Sequence, residues 1–201
     1  MERIETIEQL RGLVPAPSDA AFAKIGDGLC EQGLEFVGRS PFLAMATIGT
    51  WGIEISQKGD SPGFVEVVDR RTLLIPERMG NQFALGIGNI LADPRVGLVL
   101  MRPGTDEMLR ISGRASLWRD EAACARHAAG GKPAVLLIRV DIDRAAFHCV
   151  RSARRAGLWR PETWDAPQRV SFGRIYAEAL ARPEVEALFD RMTEESNARL
   201  Y

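Results

Sequence analysis

Ile55-Ser56-Gln57-Lys58-Gly59-Asp60-Ser61-Pro62-Gly63-Phe64 and, after a short gap, Leu73-Leu74-Ile75-Pro76-Glu77-Arg78-Met79-Gly80-Asn81 are the segments around which the chain is organised. A short apolar segment runs into Ser56-x-Lys58-Gly59-Asp60. A second segment, 72–76, enters a polar loop, and a helix-like run over 82–92 follows. Two glycine-bearing turns beside Lys58 and Arg78, close to a helix start, suit a phosphate. Glycine lets the backbone approach closely, and a helix N-terminus offers unpaired N–H groups with a partial positive charge. Lys-Gly-Asp is equally an ordinary hairpin turn, and on bare spacing the turn is favoured.

On either side of these segments, alternation and turn residues predict strands. They fall at 42–48, 53–57, 64–68, 72–76, 96–101, 108–117 and 135–142. In the second, Ile53 and Ile55 share one face and Glu54 and Ser56 the other. The near-continuous apolar run 135–142 reads as a strand covered on both faces. Between 82 and 92, Phe83, Ile87, Ile90 and Leu91 form a helical stripe that Asp93-Pro94 stops. Asp120 caps a helix to about residue 129, closed by Gly130-Gly131. Thr6-x-x-Gln9 is a capping box for a first helix, ended by Pro15 and Pro17. Ser18 starts a second, with Ala21, Phe22, Ile25 and Leu29 on one face and Gly33 closing it. Helices over 171–181 and 183–199 end the chain, the latter with Val185, Leu188, Phe189 and Met192 as an apolar stripe. The strands with interposed helices predict a mainly β, α+β chain: a closed antiparallel barrel with helices outside. No glycine-rich dinucleotide fingerprint follows a strand, which argues against a Rossmann domain.

With 201 residues, one domain over 1–201 is expected: helices over 1–35, the barrel over 36–150 and a helical tail over 151–201. A 46% apolar and 26% charged composition is that of an ordinary soluble globule. A net charge of −1 argues against nucleic acid as a partner. No apolar run is long enough for a membrane span, and the N-terminus lacks a basic start and apolar core, so a cytoplasmic protein is expected. Cys30, Cys124 and Cys149 read as reduced, mostly buried thiols. A metal site from Cys124, His127, His148 and Cys149 is disfavoured, because adjacent strand residues point to opposite faces.

The order of the blocks carries a resemblance. Ser-x-Lys-Gly-Asp-x-Pro-Gly-Phe, Leu-Leu-Ile-Pro-x-Arg-x-Gly-Asn and Asn-Ile-Leu-x-x-Pro-Arg-Val-Gly succeed one another. Pro103-Gly104-Thr105-Asp106-Glu107, Leu109-Arg110-Ile111-x-Gly113-Arg114-Ala115, Phe147-His148-Cys149 and Leu158-Trp159 follow. The chain from about 42 to 164 thus resembles the FMN-binding split-barrel proteins related to pyridoxamine phosphate oxidase. The resemblance implies a split antiparallel β-barrel, a homodimer with FMN at the interface, and a small-molecule substrate or nicotinamide donor. It implies that Ser56, Lys58, Gly59 and Asp60 meet the isoalloxazine and phosphate, that Ile75 and Pro76 lie along the ring edge through their backbone, and that Asn81 and Gln82 grip the phosphate. Arg110, Arg151 and Trp159 are further candidates, arriving from the partner chain. No catalytic acid or base is implied, since the flavin does the redox chemistry.

One departure weakens the phosphate side. Relatives continue Gly-Asn with two arginines and then a Ser-Leu-Arg block, where this chain has Gln82-Phe83 and Gly86-Ile87-Gly88. Each charge-assisted hydrogen bond contributes roughly 1.5–3 kcal/mol, so losing two lowers FMN affinity by orders of magnitude unless Lys58 and Arg78 compensate. The competing expectation is a degenerate, non-catalytic split barrel that binds another ligand (a deazaflavin or heme) or none. His148 is the one histidine near a motif, and a lone strand histidine is more often a satisfied core residue than an axial ligand.

Overall fold

In a computed structural model that describes residues 1–50, 52–80 and 83–199, helix α1 (Ile7–Leu13) opens on the expected capping box between Thr6 and Gln9. Helix α2 (Asp19–Ala23) is shorter than the sequence pattern predicts. The barrel takes its continuation: Gly26 and Ala145 exchange backbone hydrogen bonds of 3.0 and 2.9 Å, and Leu29 N–H donates to the Arg70 carbonyl at 2.7 Å. A backbone group used in a bridge cannot also serve a helix. Gly33 therefore closes nothing. It sits within α3 (Glu31–Arg39), a helix not anticipated, whose buried Gly33, Phe36 and Val37 follow i, i+3, i+4 spacing.

Strands β1 (Phe42–Gly49), β2 (Gly52–Gly59), β3 (Glu66–Asp69) and β4 (Thr72–Glu77) come next, then α4 (Leu85–Ala92). Trp51, in the turn predicted between the first two strands, lies outside the described residues. Phe64 falls short of β3 because its N–H closes a turn on Ser61. Strands β5 (Arg95–Met101) and β6 (Met108–Trp118) follow, then α5 (Glu121–Arg126) and β7 (Leu136–His148). Helix α5 stops earlier than expected because Ala129 and Lys132 pair with each other across a tight turn. The tail holds α6 (Arg151–Arg155), α7 (Phe172–Leu180) and α8 (Glu186–Asn197). Asp190 on α8 accepts from Gly173 N–H and Ser171 Oγ, which joins the last two helices end to side.

The seven strands form one antiparallel sheet in the order β2-β1-β5-β6-β7-β4-β3, a mixed α+β architecture with helices at its periphery. Leu43, Met45, Leu73, Ile75, Leu98, Leu100, Ile111 and Val140 pack together as one core. Strand β7 is covered on both faces only around Leu136–Ile138, a part of the expected 135–142; Val135 and Asp141 are exposed. Ile138 joins the main core, while Leu137 packs with Ala123, Cys124 and Ala134 beneath α5. The ladder does not close, however: among the described residues β2 pairs only with β1, and β3 only with β4. The predicted closed barrel is open between these two ends, and the opening positions the site.

Two expectations about side chains change. Cys124 is buried, but Cys30 and Cys149 are exposed, each at an element end rather than in the core. The α4 stripe turns partly away from its expected face. Phe83 and Leu91 are 82% and 77% exposed, while Ile90 of the stripe is buried as expected, together with Gly86 and Asn89. Gly49 explains the rotation. A Cβ there would lie 1.8 Å from Asn89 Oδ1, so the bare backbone of β1 is what lets the polar side chain seat itself. Asn89 Nδ2 then donates to the buried Thr47 Oγ1 at 3.3 Å.

Candidate functional site

A cleft of about 460 Å³ lies in the opening, between the free edge of β2 and the end of β4, with the start of α4 as its third wall. Strand β2 contributes Glu54, Ser56 and Lys58 from its inner face, together with Ile55 and Gly59. Strand β4 and the loop after it contribute Pro76, Glu77, Arg78, Met79 and Gly80. Gln57, Phe64, Phe83, Leu85 and Gly86 complete the lining. The alternation expected for β2 is present, with an unusual sense. Its polar face looks into the molecule, and its apolar face is outermost, Ile53 and Ile55 being 70% and 63% exposed.

An edge strand leaves every second backbone N–H and C=O unpaired, and β2 turns such an edge toward the cleft. Opposite it, the Glu77 carbonyl accepts from Val135 on the β7 side at 3.0 Å. In an antiparallel ladder the next residue points the other way, so the Pro76 carbonyl faces the cleft side, beyond the last pair of β3. Proline is tolerated there because no neighbouring strand calls for its missing N–H. Ser56 Oγ is buried without a hydrogen-bond partner among the described residues. A buried unpartnered hydroxyl is uncommon, and beside a cleft it marks a place where a ligand atom would be satisfied.

The charged groups are paired with each other. Lys58 Nζ lies 2.5 Å from Glu77 Oε2, their side chains 7% and 6% exposed. The contact is an ion pair rather than a well-directed hydrogen bond, since Oε2 has no partner in hydrogen-bonding geometry. Arg78 donates through Nε and Nη2 to Asp60 Oδ2 at 3.0 and 2.8 Å, and through Nη1 to the His127 carbonyl. Asp60 is held for this role by its own N–H, which donates to the Pro41 carbonyl, and by Ser61 N–H on its Oδ1. Nearby, His127 Nε2 sits 3.1 Å from Glu66. Burial pushes the His127 imidazole below its ordinary value; the Glu66 carboxylate opposes this, while Arg78 and Arg126 reinforce it.

The structure thus gathers Ser56, Lys58, Gly59, Pro76 and Arg78 at one cleft, with Asp60 behind Arg78. Ile75 turns its side chain wholly into the core, so only its backbone remains near the cleft. Asn81 and Gln82 lie outside the described residues. Arg110, Arg151 and Trp159 are elsewhere on this chain. Arg110 lines a separate depression of about 510 Å³ on the outer sheet face with Ile55, Val99 and Arg144. Arg151 is exposed at the start of α6. Trp159 Nε1 donates to the Thr105 carbonyl at 2.8 Å and, with the Arg154–Asp106 pair, pins the tail to the β5–β6 turn. His148 is exposed at the end of β7 and is not a core histidine. Among the described residues no three His, Cys, Asp or Glu side chains gather closely enough to hold a metal ion, and no helix is long and apolar enough to cross a membrane.

Sequence reading missed Glu54 and Glu77. Glu54 was legible, because it shares a strand face with Ser56 and Lys58. The partnership of Glu77 with Lys58 was not, because nothing local relates two residues on strands that never pair.

Among curated proteins none matches this chain. The solved structures with a similar fold are distant. One is HupZ of Group A Streptococcus, at 16% identity over 58% of this chain and 91% of that one, TM-score 0.47. Another, from Lactobacillus delbrueckii and named for pyridoxamine 5'-phosphate oxidase, has 19% identity over 60% and 94%, TM-score 0.46. An FMN-binding protein from Syntrophomonas wolfei has 11% identity over 58% and 86%, TM-score 0.44. The sequence profile of pyridoxamine 5'-phosphate oxidase matches residues 29–149, more than half of the chain and all seven strands. With the strand order and the order of its sequence blocks in place, this match assigns the protein to its family: the chain belongs to the pyridoxamine 5'-phosphate oxidase family.

Proposed function

We propose that this chain is a flavin-binding split barrel, working as a homodimeric oxidoreductase on a small-molecule substrate or a nicotinamide donor. The observation that carries the reading is the cleft itself: two unpaired strand edges, apolar walls and the orphaned Ser56 Oγ facing one volume. A flat heterocycle with polar edges needs this combination. The ring portion of FMN fits these residues. Its phosphate does not, because Lys58 and Arg78, the cations of the cleft lining, are both held by carboxylates. A bound flavin supplies redox chemistry of its own, while the residues of this chain bind and orient the ring. The family's FMN is the first ligand to try. Purified protein incubated with an excess of FMN or of another flavin and desalted is expected, with at least one of them, to keep absorbance bands near about 375 and 450 nm. Protein that stays colourless with any flavin would overturn the reading.

The homodimer rests on the outer face of β2 and its neighbours. Ile53 and Ile55 are exposed there beside Ala44, Ala46 and Val99, an apolar strip that a second copy would cover.

The second reading, a non-catalytic barrel for another ligand, is favoured by those same internal ion pairs. Appreciable turnover of NADH or NADPH by flavin-loaded protein would exclude it.

A further inference from the structure

The charges around the cleft sum to the wrong sign for a phosphate. Its lining carries Lys58 and Arg78 against Glu54 and Glu77, and Asp60 stands directly behind Arg78. Two cations against three carboxylates leave a net −1, and Asn81 and Gln82, which follow Gly80 in the sequence, are uncharged. The N-terminal end of α4 adds about half a positive charge, so the balance stays negative. Neither cation is at liberty. Lys58 turned toward a ligand would leave Glu77 buried at 6% side-chain exposure without its counter-charge, a strongly unfavourable state. Arg78 has Nε, Nη1 and Nη2 all engaged, and turning it would strip both Asp60 and the His127 carbonyl. A phosphate dianion entering here would meet no unclaimed cation among this chain's described lining residues and would lie beside carboxylates.

We propose that this cleft selects a dephosphorylated flavin, of the riboflavin type, over FMN. The inference rests on the flavin reading above and names which flavin. Phe64, Phe83 and Leu85 offer apolar surface to the ring. Ser56 Oγ, buried and unpartnered, meets a polar atom of the ligand. Glu54, which would repel a phosphate, accepts hydrogen bonds from a neutral polyol chain. The same residues that weaken an anionic tail therefore suit a hydroxylated one. This gives the loss of the phosphate-side arginines a counterpart in the structure: the remaining cations serve the closure of the sheet.

The test is a pair of fluorescence-quenching titrations of the full chain, with riboflavin and with FMN, at low salt and at about 0.5 M salt, where charges are screened within a few ångströms. Riboflavin is expected to bind about tenfold or more tighter than FMN at low salt, with the gap narrowing at high salt. The double variant Asp60→Asn with Glu77→Gln, which releases both cations, is expected to narrow the gap further. Equal or tighter binding of FMN by the wild-type chain overturns the proposal while leaving the flavin reading intact. A preference for riboflavin that ignores salt overturns the charge argument. Binding of neither flavin overturns both readings. The wild-type comparison decides the matter even where the double variant fails to fold.

Discussion

Lys58 and Glu77 meet across the opening in the sheet, Nζ 2.5 Å from Oε2, although among the described residues their strands do not pair. With Arg78 and Asp60 beside them, they do by charge what a backbone ladder does between every other pair of neighbouring strands. Removing either partner leaves a buried charge uncompensated. Lys58→Met or Glu77→Gln alone is therefore expected to lower stability by about 3–5 kcal/mol, and Lys58→Met with Glu77→Leu to recover most of the loss. Urea unfolding of the three variants measures this; single losses well under about 1 kcal/mol would show that the pair is solvated and does not hold the opening.

The contact between Gly49 and Asn89 sets how closely α4 lies on β1, and so the third wall of the cleft. A methyl group on Gly49 would fall 1.8 Å from Asn89 Oδ1 and 2.4 Å from its Cγ. Gly49→Ala is expected to cost about 1–3 kcal/mol through overpacking. Asn89→Ala made in the Gly49→Ala background should destabilise less than it does alone, because the clash leaves with the side chain. Strict additivity in denaturant midpoints would mean that the helix shifts freely.

His127 gives the fold a pH dependence whose sign follows from burial. Its side chain is 7% exposed and its pKa is lowered in the folded chain, chiefly by desolvation. The unfolded chain therefore binds more protons in the window just below the ordinary value of about 6.5. Stability is fully present above that value and falls as pH drops below it, down through the folded pKa. Melting temperatures compared at about pH 7.5 and 5.5 should show a fall that shrinks in His127→Gln. An unchanged fall in that variant would assign it to other groups.

The outer face of β2 supplies the test of the proposed dimer. Ile55 is 63% exposed in the single chain, and a carboxylate placed there would be buried uncompensated against a second copy. Light scattering should find the wild-type chain dimeric and Ile55→Asp monomeric, with its circular dichroism unchanged. A monomeric wild type would refute the proposal.

Local features were legible in the sequence because local chemistry determines them. Thr6 and Gln9 cap α1 whatever lies around them, Asp120 accepts from Ala123 N–H at the head of α5, and the alternation along β2 is a property of extended backbone. The order of the blocks was enough to imply the family and the strand content. Only the tertiary structure decided where helices stop, since Gly26 and Leu29 give their backbone to distant partners. It also decided which face of β2 turns inward: the strand borders an opening rather than a second ladder, so its polar residues find their partners inside and its isoleucines are left outside. The pairing of Lys58 with Glu77 and of Arg78 with Asp60 likewise comes from strand order alone. Charge pairing depends on distance in space, and two residues on strands that share no ladder leave no periodic trace in the chain.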